Sequence, residues 1–407
     1  MIKSEFGIDN VVQIEQRLVK LDRLMVQCEW LWRPQPYKQV RPAWCEQLPE
    51  LCVSLLGLSD QQLADFSGDG AALNLMLSEH ISELSQLPAL THISECELTQ
   101  LDDLGPHFNS GIPGRKWQQI EKFAAALGPV DSPLLEWCGG KGHLGRLLAA
   151  QWQTPVLTIE HNDELCIEGE HFAKRAKVKQ RFRRVDALSA EAGREVGGHH
   201  AVALHACGEL HRSLLREAVK SGIEAFDIAP CCYYVGAGEK YHAFNDSLQL
   251  SLSRDDLRLA VTETVTAAGR EVVKRDREMA WKLGYQELCR EQCHVEAYLP
   301  IKPIDKKWLK LGFEGFCRKL AEREERVLSI GIDWVHYEEL GWLRQGEVMR
   351  LSLVRAAFRR GLEMWLVLDM ANYIAANGYR VQLATFCNRD LTPRNILISA
   401  RRRSRHQ

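Results

Sequence analysis

The stretch SPLLEWCGGKGHLGRLLAAQW, residues 132–152, decides the fold. An apolar run at residues 134–138 is followed by the spacing G-x-G-x-x-G at Gly140, Gly142 and Gly145, and then by a helical pattern. A glycine turn between a strand and a helix lets the backbone approach a ligand at the helix N-terminus. The stretch therefore predicts the binding loop of a nucleotide-like cofactor, and the spacing alone leaves the identity of that cofactor open.

Short apolar runs alternate with helix-length segments along the middle of the chain. The runs are LLEWC (134–138), PVLTIE (155–160), RFRRVD (181–186), AVALH (201–205) and AFDIAP (225–230). Five strands separated by helices predict a parallel sheet with helices on both faces. Two further runs, YRVQLATFC (379–387) and RNILISAR (394–401), are joined only by NRDLTP, which is too short for a crossover helix and predicts an antiparallel hairpin. The predicted fold class is α/β and Rossmann-like, with seven strands of which the last is antiparallel.

The remaining segments have helical patterns and no chemical motif. In VVQIEQRLVKLDRLMVQCEWLW, apolar residues recur every three or four positions, which predicts a helix with one buried face. The pattern predicts four consecutive segments. They are a helical N-terminal accessory domain (1–110), a Rossmann-like cofactor-binding core (111–246), a helical insertion (247–378), and the closing hairpin of the core with a basic tail (379–407).

The composition is typical of a soluble protein with two or three domains. The chain has 407 residues, of which 45% are hydrophobic, and a formal net charge of -2. Its thirteen cysteines lack the even spacing of a disulfide scaffold, and MIKSEFGIDN has no apolar signal core. The apolar segment GLEMWLVLDMANYIAANG is interrupted by Glu363 and Asp369, so we expect no membrane span. These features predict a cytoplasmic protein with reduced thiols.

Three carboxylates end successive strands of the predicted sheet. Glu136, Glu160 and Asp186 close the first three runs, and the carboxyl ends of parallel strands meet at one edge, where ligands bind. Glu136 suits the ammonium group in the methionine half of S-adenosylmethionine, whereas it would repel a pyrophosphate. Glu160 can accept hydrogen bonds from ribose hydroxyls, and Asp186 from an adenine amino group. The set favours S-adenosylmethionine over a nicotinamide dinucleotide, although each acid by itself is more often a helix cap or a solvated loop residue.

Several motifs resemble a known family of methyltransferase domains. They are EWCGGKGHLGRLLA (136–149), LHACGEL (204–210), APCCYY (229–234), GLEMWLVLDMANYI (361–374) and FCNRDLTPRNILI (386–398). The combination is similar to the domain shared by methyltransferase-like protein twenty-five and the glutathione-S-transferase C-terminal-domain-containing protein, over about residues 110–402. The resemblance implies a class I methyltransferase that uses S-adenosyl-L-methionine as cofactor, and it does not fix the acceptor.

The resemblance also implies which residues bind the cofactor. They are Lys116, Gln118, Glu136, Gly140, Gly142, Glu160 and Asp186. Beside them, the further residues predicted to bind the cofactor are Cys138, Gly139, His143, Leu144, Ala187 and His205. Lys116 and Gln118 belong to the predicted helix before the sheet. The chain departs from the family at Cys138, which replaces the first glycine of the usual G-x-G-x-G. We expect the neighbouring Gly139 to absorb the turn, so that binding survives.

The methyl acceptor is expected beyond the fourth and fifth strands. LHACGELH and PCCYYV follow those strands, and the candidate catalytic residues are His205, Cys207, Cys231 and Tyr233. A thiolate could attack a pyrimidine ring, with His205 or His211 lowering its pKa. The cysteines could instead be small residues packed beneath the cofactor, which is the interpretation we favour. Tyr233 and Tyr234 could stack on a base or cover the sheet.

A zinc site is a third interpretation of the same loops. His205, Cys207, Cys231 and Cys232 would be a plausible ligand set if the two loops faced each other. Adjacent cysteines seldom ligate one ion, and no C-x-x-C is present. The sequence therefore predicts no metal.

Basic segments favour RNA as the acceptor. KRAKVKQRFRR (174–184) has seven Lys or Arg and no acid, and RRRSR (401–405) adds four arginines. Such segments can follow a phosphate backbone, and they predict RNA, in particular transfer RNA, as the partner. The more common alternative is a solvated helix face and a frayed terminus. A protein side chain or a small molecule as acceptor, and an inactive domain that only binds cofactor or RNA, stay open. No motif predicts the oligomeric state.

Overall fold

The computed structural model describes residues 11–262, 269–293 and 298–403. The strands are β1 (Leu134–Trp137), β2 (Val156–Glu160), β3 (Gln180–Arg184), β4 (His200–Cys207), β5 (Ala225–Cys231), β6 (Tyr379–Thr385) and β7 (Ile396–Arg402). The helices before the sheet are α1 (Val11–Gln27), α2 (Glu29–Trp32), α3 (Trp44–Gln47), α4 (Pro49–Leu56), α5 (Asp60–Gly68), α6 (Gly70–Ser78), α7 (Leu87–Thr91) and α8 (Gly114–Leu127). The later helices are α9 (His143–Trp152), α10 (Asp163–Ala176), α11 (Ala190–Val196), α12 (Glu209–Ser221), α13 (Arg254–Val261), α14 (Gly269–Cys293), α15 (Gly312–Arg323) and α16 (Trp334–Ala376). Short 3-10 helices cover Ser82–Gln86 and Lys306–Lys310.

The described residues form one seven-stranded sheet in the order β3-β2-β1-β4-β5-β7-β6. Strands β1 to β5 pair in parallel, and β7 lies antiparallel between β5 and β6. The strand order reverses between β1 and β4, and open α/β sheets bind ligands at such a point, beyond the carboxyl ends of the strands. The topology confirms the predicted α/β, Rossmann-like fold class with its antiparallel closing hairpin.

Strand β1 lies at the centre of the sheet and is buried along its whole length. Consecutive buried residues are expected for a parallel strand with helices on both faces. Next to β1, Ile120 and Phe123 of α8 pack with Leu147 and Leu148 of α9 in one apolar cluster. Glu136 is the only charged residue of β1, and it lies next to the glycine turn.

Three non-glycine residues have left-handed backbone at the carboxyl ends of β1, β4 and β5. They are Cys138 (φ 55°), His205 (φ 69°) and Cys232 (φ 45°). Such a conformation costs about 1–2 kcal/mol for an ordinary residue, and residues of this kind cluster at functional sites. The strained backbone therefore points to the same sheet edge as the topology.

Residue contacts divide the chain into two units. The first comprises Met1–Gln27, Gln86–Glu263 and Arg359–Gln407, and it contains the whole sheet. The second comprises Cys28–Ser85 and Thr264–Phe358, and it has its own aromatic core around Trp281, Phe313 and Phe316. The four consecutive segments drawn from the sequence stay a prediction.

The helical pattern predicted near the N-terminus is confirmed. Helix α1 buries Ile14, Leu18, Leu21 and Met25 on one face, as the spacing of its apolar residues predicts. Within the described ranges, each helix is too short or too polar to cross a bilayer.

Candidate functional site

The loop between β1 and α9 contains the glycine turn. Gly140 and Gly142 have φ values of 59° and 65°, a backbone region that favours glycine. The expectation that Gly139 absorbs the turn is wrong, because Cys138 itself adopts the left-handed conformation with φ 55°. Gly139 is needed for space instead, since a Cβ atom there would lie 2.5 Å from the Thr158 methyl group.

The side chain of Glu136 is buried beneath this loop. Its Oε2 atom accepts a hydrogen bond from Thr158 Oγ1 at 2.7 Å and a longer one from Gln180 Nε2 at 3.4 Å. Burial raises the pKa of Glu136 to about 7, although hydrogen bonds and the charges of Arg146 and Lys116 oppose the shift. Within the described ranges, no cation lies within ion-pair distance of Glu136, so this acid is buried without a counterion in contact.

Glu160 ends β2 and ties the glycine loop to the second strand. Its Oε2 atom accepts a hydrogen bond from the Gly140 N–H at 3.1 Å. Its Oε1 atom accepts hydrogen bonds from the backbone N–H groups of His161 and Asn162, each at 3.0 Å. The carboxylate is therefore a fixed acceptor at the carboxyl edge of the sheet.

Asp186 follows β3, and its side chain is exposed. Its Oδ1 atom accepts a hydrogen bond from the Leu188 N–H at 2.9 Å, which stabilises the turn after the strand. The next residue, Ala187, is buried, and its carbonyl accepts a hydrogen bond from the Ser213 hydroxyl at 2.8 Å. Asp186 thus has both a local structural contact and an exposed carboxylate at the edge.

The pKa of the Cys138 thiol depends on the groups around it. Burial, followed by Glu160, Cys207 and Asp186, raises the pKa of Cys138 to about 12. Residues at or just after the carboxyl ends of β2, β3 and β4 therefore raise the pKa of one thiol just after β1. The predicted carboxylates Glu160 and Asp186 lie in one neighbourhood rather than in scattered loops.

Lys116 and Gln118, both on α8, lie in different surroundings. The charge of Lys116 lowers the pKa values of Glu136 and His205, so this ammonium group is close to the carboxyl edge. Gln118 lines a cavity of about 470 Å³ together with Lys122, Phe386, Cys387 and others. The structure therefore does not bring the Gln118 side chain together with the predicted carboxylates.

His143 and Leu144 begin helix α9, and both are buried. Burial, with the charges of Arg146, Lys116 and Lys141, lowers the pKa of His143 to about 3, so its ring is neutral at physiological pH. Leu144 belongs to the apolar cluster between α8 and α9. The side chains of His143 and Leu144 are buried inside the protein, and only their backbone, at the start of α9, adjoins the loop.

Strand β4 ends in an irregularity that places His205. Its pairing with β5 shifts between Leu204 and Cys207, and His205 stands in this bulge with φ 69°. Burial and then the charge of Lys116 lower the pKa of His205, although part of its ring is exposed. His205 is therefore an accessible, neutral imidazole at neutral pH.

Three cysteine thiols meet beyond this bulge. Cys207 pairs in register with Cys231, and their Sγ atoms lie 3.5 Å apart. The Sγ atom of Cys232 joins them, so that all three lie within 4.8 Å of one another. Hydrogen bonds from the Cys207 and Cys231 thiols lower the pKa of Cys232, and the charge of Arg394 acts in the same direction. The predicted catalytic set contained Cys207 and Cys231 but not Cys232.

Tyr233 and His211 are buried behind these thiols. Their rings pack edge to face, with centroids 5.9 Å apart, and Tyr233 is 3% exposed. Burial lowers the pKa of His211 to about 4, so its ring is neutral and cannot supply a positive charge to a thiolate at pH 7. Tyr233 therefore covers the sheet, whereas Tyr234 is half-buried beside Arg258.

The segment after β5 is held in place by one buried carboxylate that sequence reasoning assigned no role. Asp369 accepts hydrogen bonds from the N–H groups of Phe244 and Asn245 and from the hydroxyl of Tyr241. The guanidinium of Arg212 lies over the Tyr241 ring at 4.4 Å. The available signal was an acid inside an otherwise apolar helix, since a buried charge needs hydrogen-bond donors.

The basic segment 174–184 runs from the end of α10 through the edge strand β3. Its exposed cations are Lys174, Arg175, Lys177, Lys179, Arg181, Arg183 and Arg184. Some of this charge is locally neutralised, because Arg183 contacts Glu191 at 3.2 Å and Lys174 contacts Glu170 at 3.7 Å. The surface as a whole remains basic.

The second basic segment has packing contacts at its start. Arg401 contacts the buried Asp227 at 2.9 Å, and Arg402 donates to the Gly222 carbonyl. Arg401 pairs with Ala225 at the start of β5, so this part lies at the amino edge of the parallel strands. The rest of the predicted tail, Ser404 and Arg405, lies outside the described residues.

Comparison with known families identifies the central part of the chain. Residues 115–239 match a family model described as a methyltransferase domain. The match extends from α8 past the end of β5, and so contains the glycine loop and the ends of all five parallel strands. A search of the curated proteins found no similar sequence.

Several solved structures are similar to the chain. A 23S rRNA methyltransferase, ErmE, is 17% identical over 28% of this chain and 45% of its own, with a TM-score of 0.23. A geranyl diphosphate methyltransferase in complex with GPP and sinefungin is 14% identical over 40% of this chain and 65% of its own, with a TM-score of 0.24. Coclaurine N-methyltransferase bound to N-methylheliamine and SAH is 10% identical over 84% of this chain and 94% of its own, with a TM-score of 0.26. This chain thus spans less than two thirds of the length of the first two, and likeness at these scores carries no argument about substrates.

The sheet topology is that of the Rossmann-like, class I methyltransferase fold. Residues 115–239, within this fold, match the methyltransferase-domain model. The narrower resemblance to methyltransferase-like protein twenty-five and the glutathione-S-transferase C-terminal-domain-containing protein stays a prediction.

Proposed function

We propose that the chain is an S-adenosylmethionine-dependent methyltransferase and that its acceptor is RNA. The contact between Glu160 and the glycine loop is the observation that supports this cofactor most directly. The Gly140 N–H donates to Glu160 Oε2 at 3.1 Å. A pyrophosphate binds through free loop amides, and a carboxylate on one of them both occupies the donor and repels the phosphate. The geometry therefore disfavours a dinucleotide.

Other groups at this edge also suit S-adenosylmethionine. Apart from Gly140 and its two chain neighbours, no described residue has an atom within 4 Å of the position that a Cβ would take at Gly140, so the loop backbone is open to a ligand there. Glu160 and the exposed Asp186 offer acceptors for ribose hydroxyls and an adenine amino group. Glu136 is a buried acid without a counterion in contact, and a nearby ammonium group would stabilise its ionised form.

The cofactor, when bound, supplies a methyl group already activated by its sulfonium centre. The chain then has to align the acceptor, exclude water and accept a proton where the acceptor carries one. His205 is suited to accept the proton. Partial burial and the charge of Lys116 lower its pKa, so this imidazole, which solvent still reaches, is neutral at neutral pH. The segment anchored by Asp369 follows β5, the neighbour of the strand that contains His205.

The exposed cations of residues 174–184 support RNA as the acceptor. They lie on the end of α10 and on β3, whose carboxyl end carries Asp186. Phosphate groups that contact this surface would hold an RNA next to the carboxyl edge of the sheet. A protein or small-molecule acceptor would gain nothing from the same charge, unless it were itself acidic.

The cofactor proposal is tested by isothermal titration of the full chain with S-adenosylmethionine and with NAD. We expect S-adenosylmethionine to bind and NAD not to bind. Glu160→Gln should weaken S-adenosylmethionine at least about tenfold, because it removes a charged acceptor and sets an amide N–H against a loop N–H. Glu191→Gln is the matched control, since it removes an exposed carboxylate that contacts Arg183. Preferred binding of NAD, or equal binding by both variants, would refute the assignment.

The acceptor proposal is tested by transfer of a labelled methyl group from S-adenosylmethionine. The substrates are total RNA, separated transfer and ribosomal RNA, and RNA-free protein from the same cells. We expect label in RNA and a loss of labelling at higher salt. The double variant Lys177→Glu/Arg181→Glu should reduce labelling, whereas Lys220→Glu, an exposed change on α12, should not. Label only in protein, or equal labelling by the two variants, would contradict an RNA acceptor.

A further inference from the structure

Three cysteine sulfurs converge where β4 and β5 end. Cys207 comes from the end of β4, and Cys231 and Cys232 come from the end of β5. Their Sγ atoms all lie within 4.8 Å of one another, and those of Cys207 and Cys231 are 3.5 Å apart. In the part of the chain that the structure describes, this is the one group of three or more metal-ligating side chains at such spacing.

The backbone explains how two adjacent cysteines can face one point. Successive side chains of a regular strand point to opposite faces of the sheet, which would separate Cys231 from Cys232. Cys232 has φ 45°, so the strand alternation ends at this residue. The bulge at His205 likewise shifts the register of β4 and brings Cys207 opposite Cys231. Both distortions are required to bring the three sulfurs together.

The spacing of the sulfurs suits a small thiophilic metal ion. Tetrahedral zinc with Zn–S bonds of about 2.3 Å holds its sulfur ligands about 3.8 Å apart. The observed limits of 3.5 Å and 4.8 Å bracket that value, so side-chain rotations would suffice to complete the site. Three soft sulfur ligands select zinc over hard cations such as magnesium or calcium.

We propose that Cys207, Cys231 and Cys232 bind one zinc ion, whose fourth coordination position is open to water or to a group of the acceptor. Three protein ligands with one exchangeable position are typical of zinc sites that take part in chemistry, whereas structural sites have four protein ligands. The site lies beside the cofactor loop, because Cys207 acts on the pKa of the Cys138 thiol. The sequence-based prediction of no metal depended on the adjacency of two cysteines and on the lack of a C-x-x-C motif, and the left-handed Cys232 removes the first objection.

The surroundings favour the charge that such a site would have. Three thiolates and Zn²⁺ sum to one negative charge, and binding requires that the thiols lose their protons. The positive charge of Arg394 acts on Cys232. Arg394 itself is fixed by a hydrogen bond to the Val261 carbonyl. A cation therefore stands near the place where the negative charge would develop.

The test uses the full chain, reduced with a phosphine, stripped of metal with a chelator, and titrated with Zn²⁺ against a chromophoric competitor. We expect one zinc per chain. Cys207→Ser, Cys231→Ser and Cys232→Ser should each weaken zinc binding at least about 100-fold, which is the upper range for loss of outer-shell partners alone. The matched control is Cys387→Ser, at a half-buried cysteine outside the cluster, and it should bind zinc as the unmodified chain does.

Cobalt binding by the unmodified chain gives a readout that needs no variant. Co²⁺ bound by three thiolates in the unmodified chain should give strong sulfur-to-cobalt charge-transfer absorption in the near ultraviolet. Each folded serine variant should lose about a third of that intensity. Absence of the band, or zinc binding that is equal in the cluster variants and the control, would overturn the proposal. Neither measurement contains S-adenosylmethionine, so a failure here is distinct from a failure of the proposed cofactor.

Discussion

Glu136→Gln changes the pH dependence of stability in a direction that the structure fixes. Glu136 is buried, and its pKa is raised from 4.5 to about 7. An acid whose pKa is raised on folding binds more protons in the folded chain than in the unfolded chain. The stability that it contributes is present below its unfolded pKa and is lost as the pH rises from 4.5 to about 7. A glutamine of the same shape retains an acceptor for Thr158 and does not ionise.

The size of the effect follows from the two pKa values. Each pKa unit corresponds to about 1.4 kcal/mol, so ionisation of Glu136 destabilises the fold by about 3 kcal/mol once the pH exceeds 7. The free energy of unfolding of Glu136→Gln, minus that of the unmodified chain, should therefore increase by about 3 kcal/mol between pH 4.5 and pH 8.

The assay is denaturant unfolding of both chains at several pH values across that window, followed by circular dichroism. Glu191→Gln serves as the control, because it removes an exposed acid and should give a difference that does not vary with pH. A Glu136→Gln difference that is constant from pH 4.5 to pH 8 would show that folding does not raise the pKa of Glu136. The interpretation of Glu136 as a buried acid that lacks a counterion would then be wrong.

Three other variants test the loop and the anchored segment. Cys138→Val should destabilise the chain by about 2 kcal/mol in denaturant unfolding, whereas Cys138→Gly should stay within about 1 kcal/mol of the unmodified chain. The reason is that glycine adopts φ 55° without strain. Equal effects of the two variants would contradict strain at this residue. Gly139→Ala should lower S-adenosylmethionine affinity in titration calorimetry and destabilise the chain by about 1–3 kcal/mol. The added Cβ would lie 2.5 Å from the Thr158 methyl group. A variant with unchanged affinity and stability would exclude this clash. Asp369→Asn should lower the free energy of unfolding by about 2–4 kcal/mol in thermal or denaturant unfolding. It removes the charged acceptor of hydrogen bonds from the Phe244 N–H, the Asn245 N–H and the Tyr241 hydroxyl. A loss below about 0.5 kcal/mol would show that this carboxylate contributes little to stability.

The local patterns of the chain were sufficient to predict the sheet. The seven predicted strands correspond to the seven observed strands, and the short NRDLTP connection correctly predicted that β6 and β7 are antiparallel. Hydrophobic period and loop length are properties of residues close together in sequence. They predict the sheet correctly because a parallel strand and its crossover helix have few possible arrangements. The carboxylates at the strand ends were predictable for the same reason.

The errors and omissions concern contacts between residues that are distant in sequence. Gly139 was expected to absorb the turn, but Cys138 has the left-handed backbone, whereas Gly139 leaves room for Thr158 of the next strand. Cys232 was absent from the predicted catalytic set and was considered only for a zinc site, which its adjacency to Cys231 disfavoured. The role of Asp369 depends on Asn245 and its neighbours, which lie more than a hundred residues earlier.

The sequence by itself therefore determined the order and direction of the strands, the position of the glycine loop, and the acids at or just after the carboxyl ends of β1, β2 and β3. Only the tertiary structure decided which of those acids is buried without a counterion, and that Cys207 meets Cys231 and Cys232. The physical reason is that hydrophobic period and turn chemistry act between near neighbours in sequence. Burial, a raised pKa and a cluster of thiols depend on bulges and left-handed residues where separate strands come together.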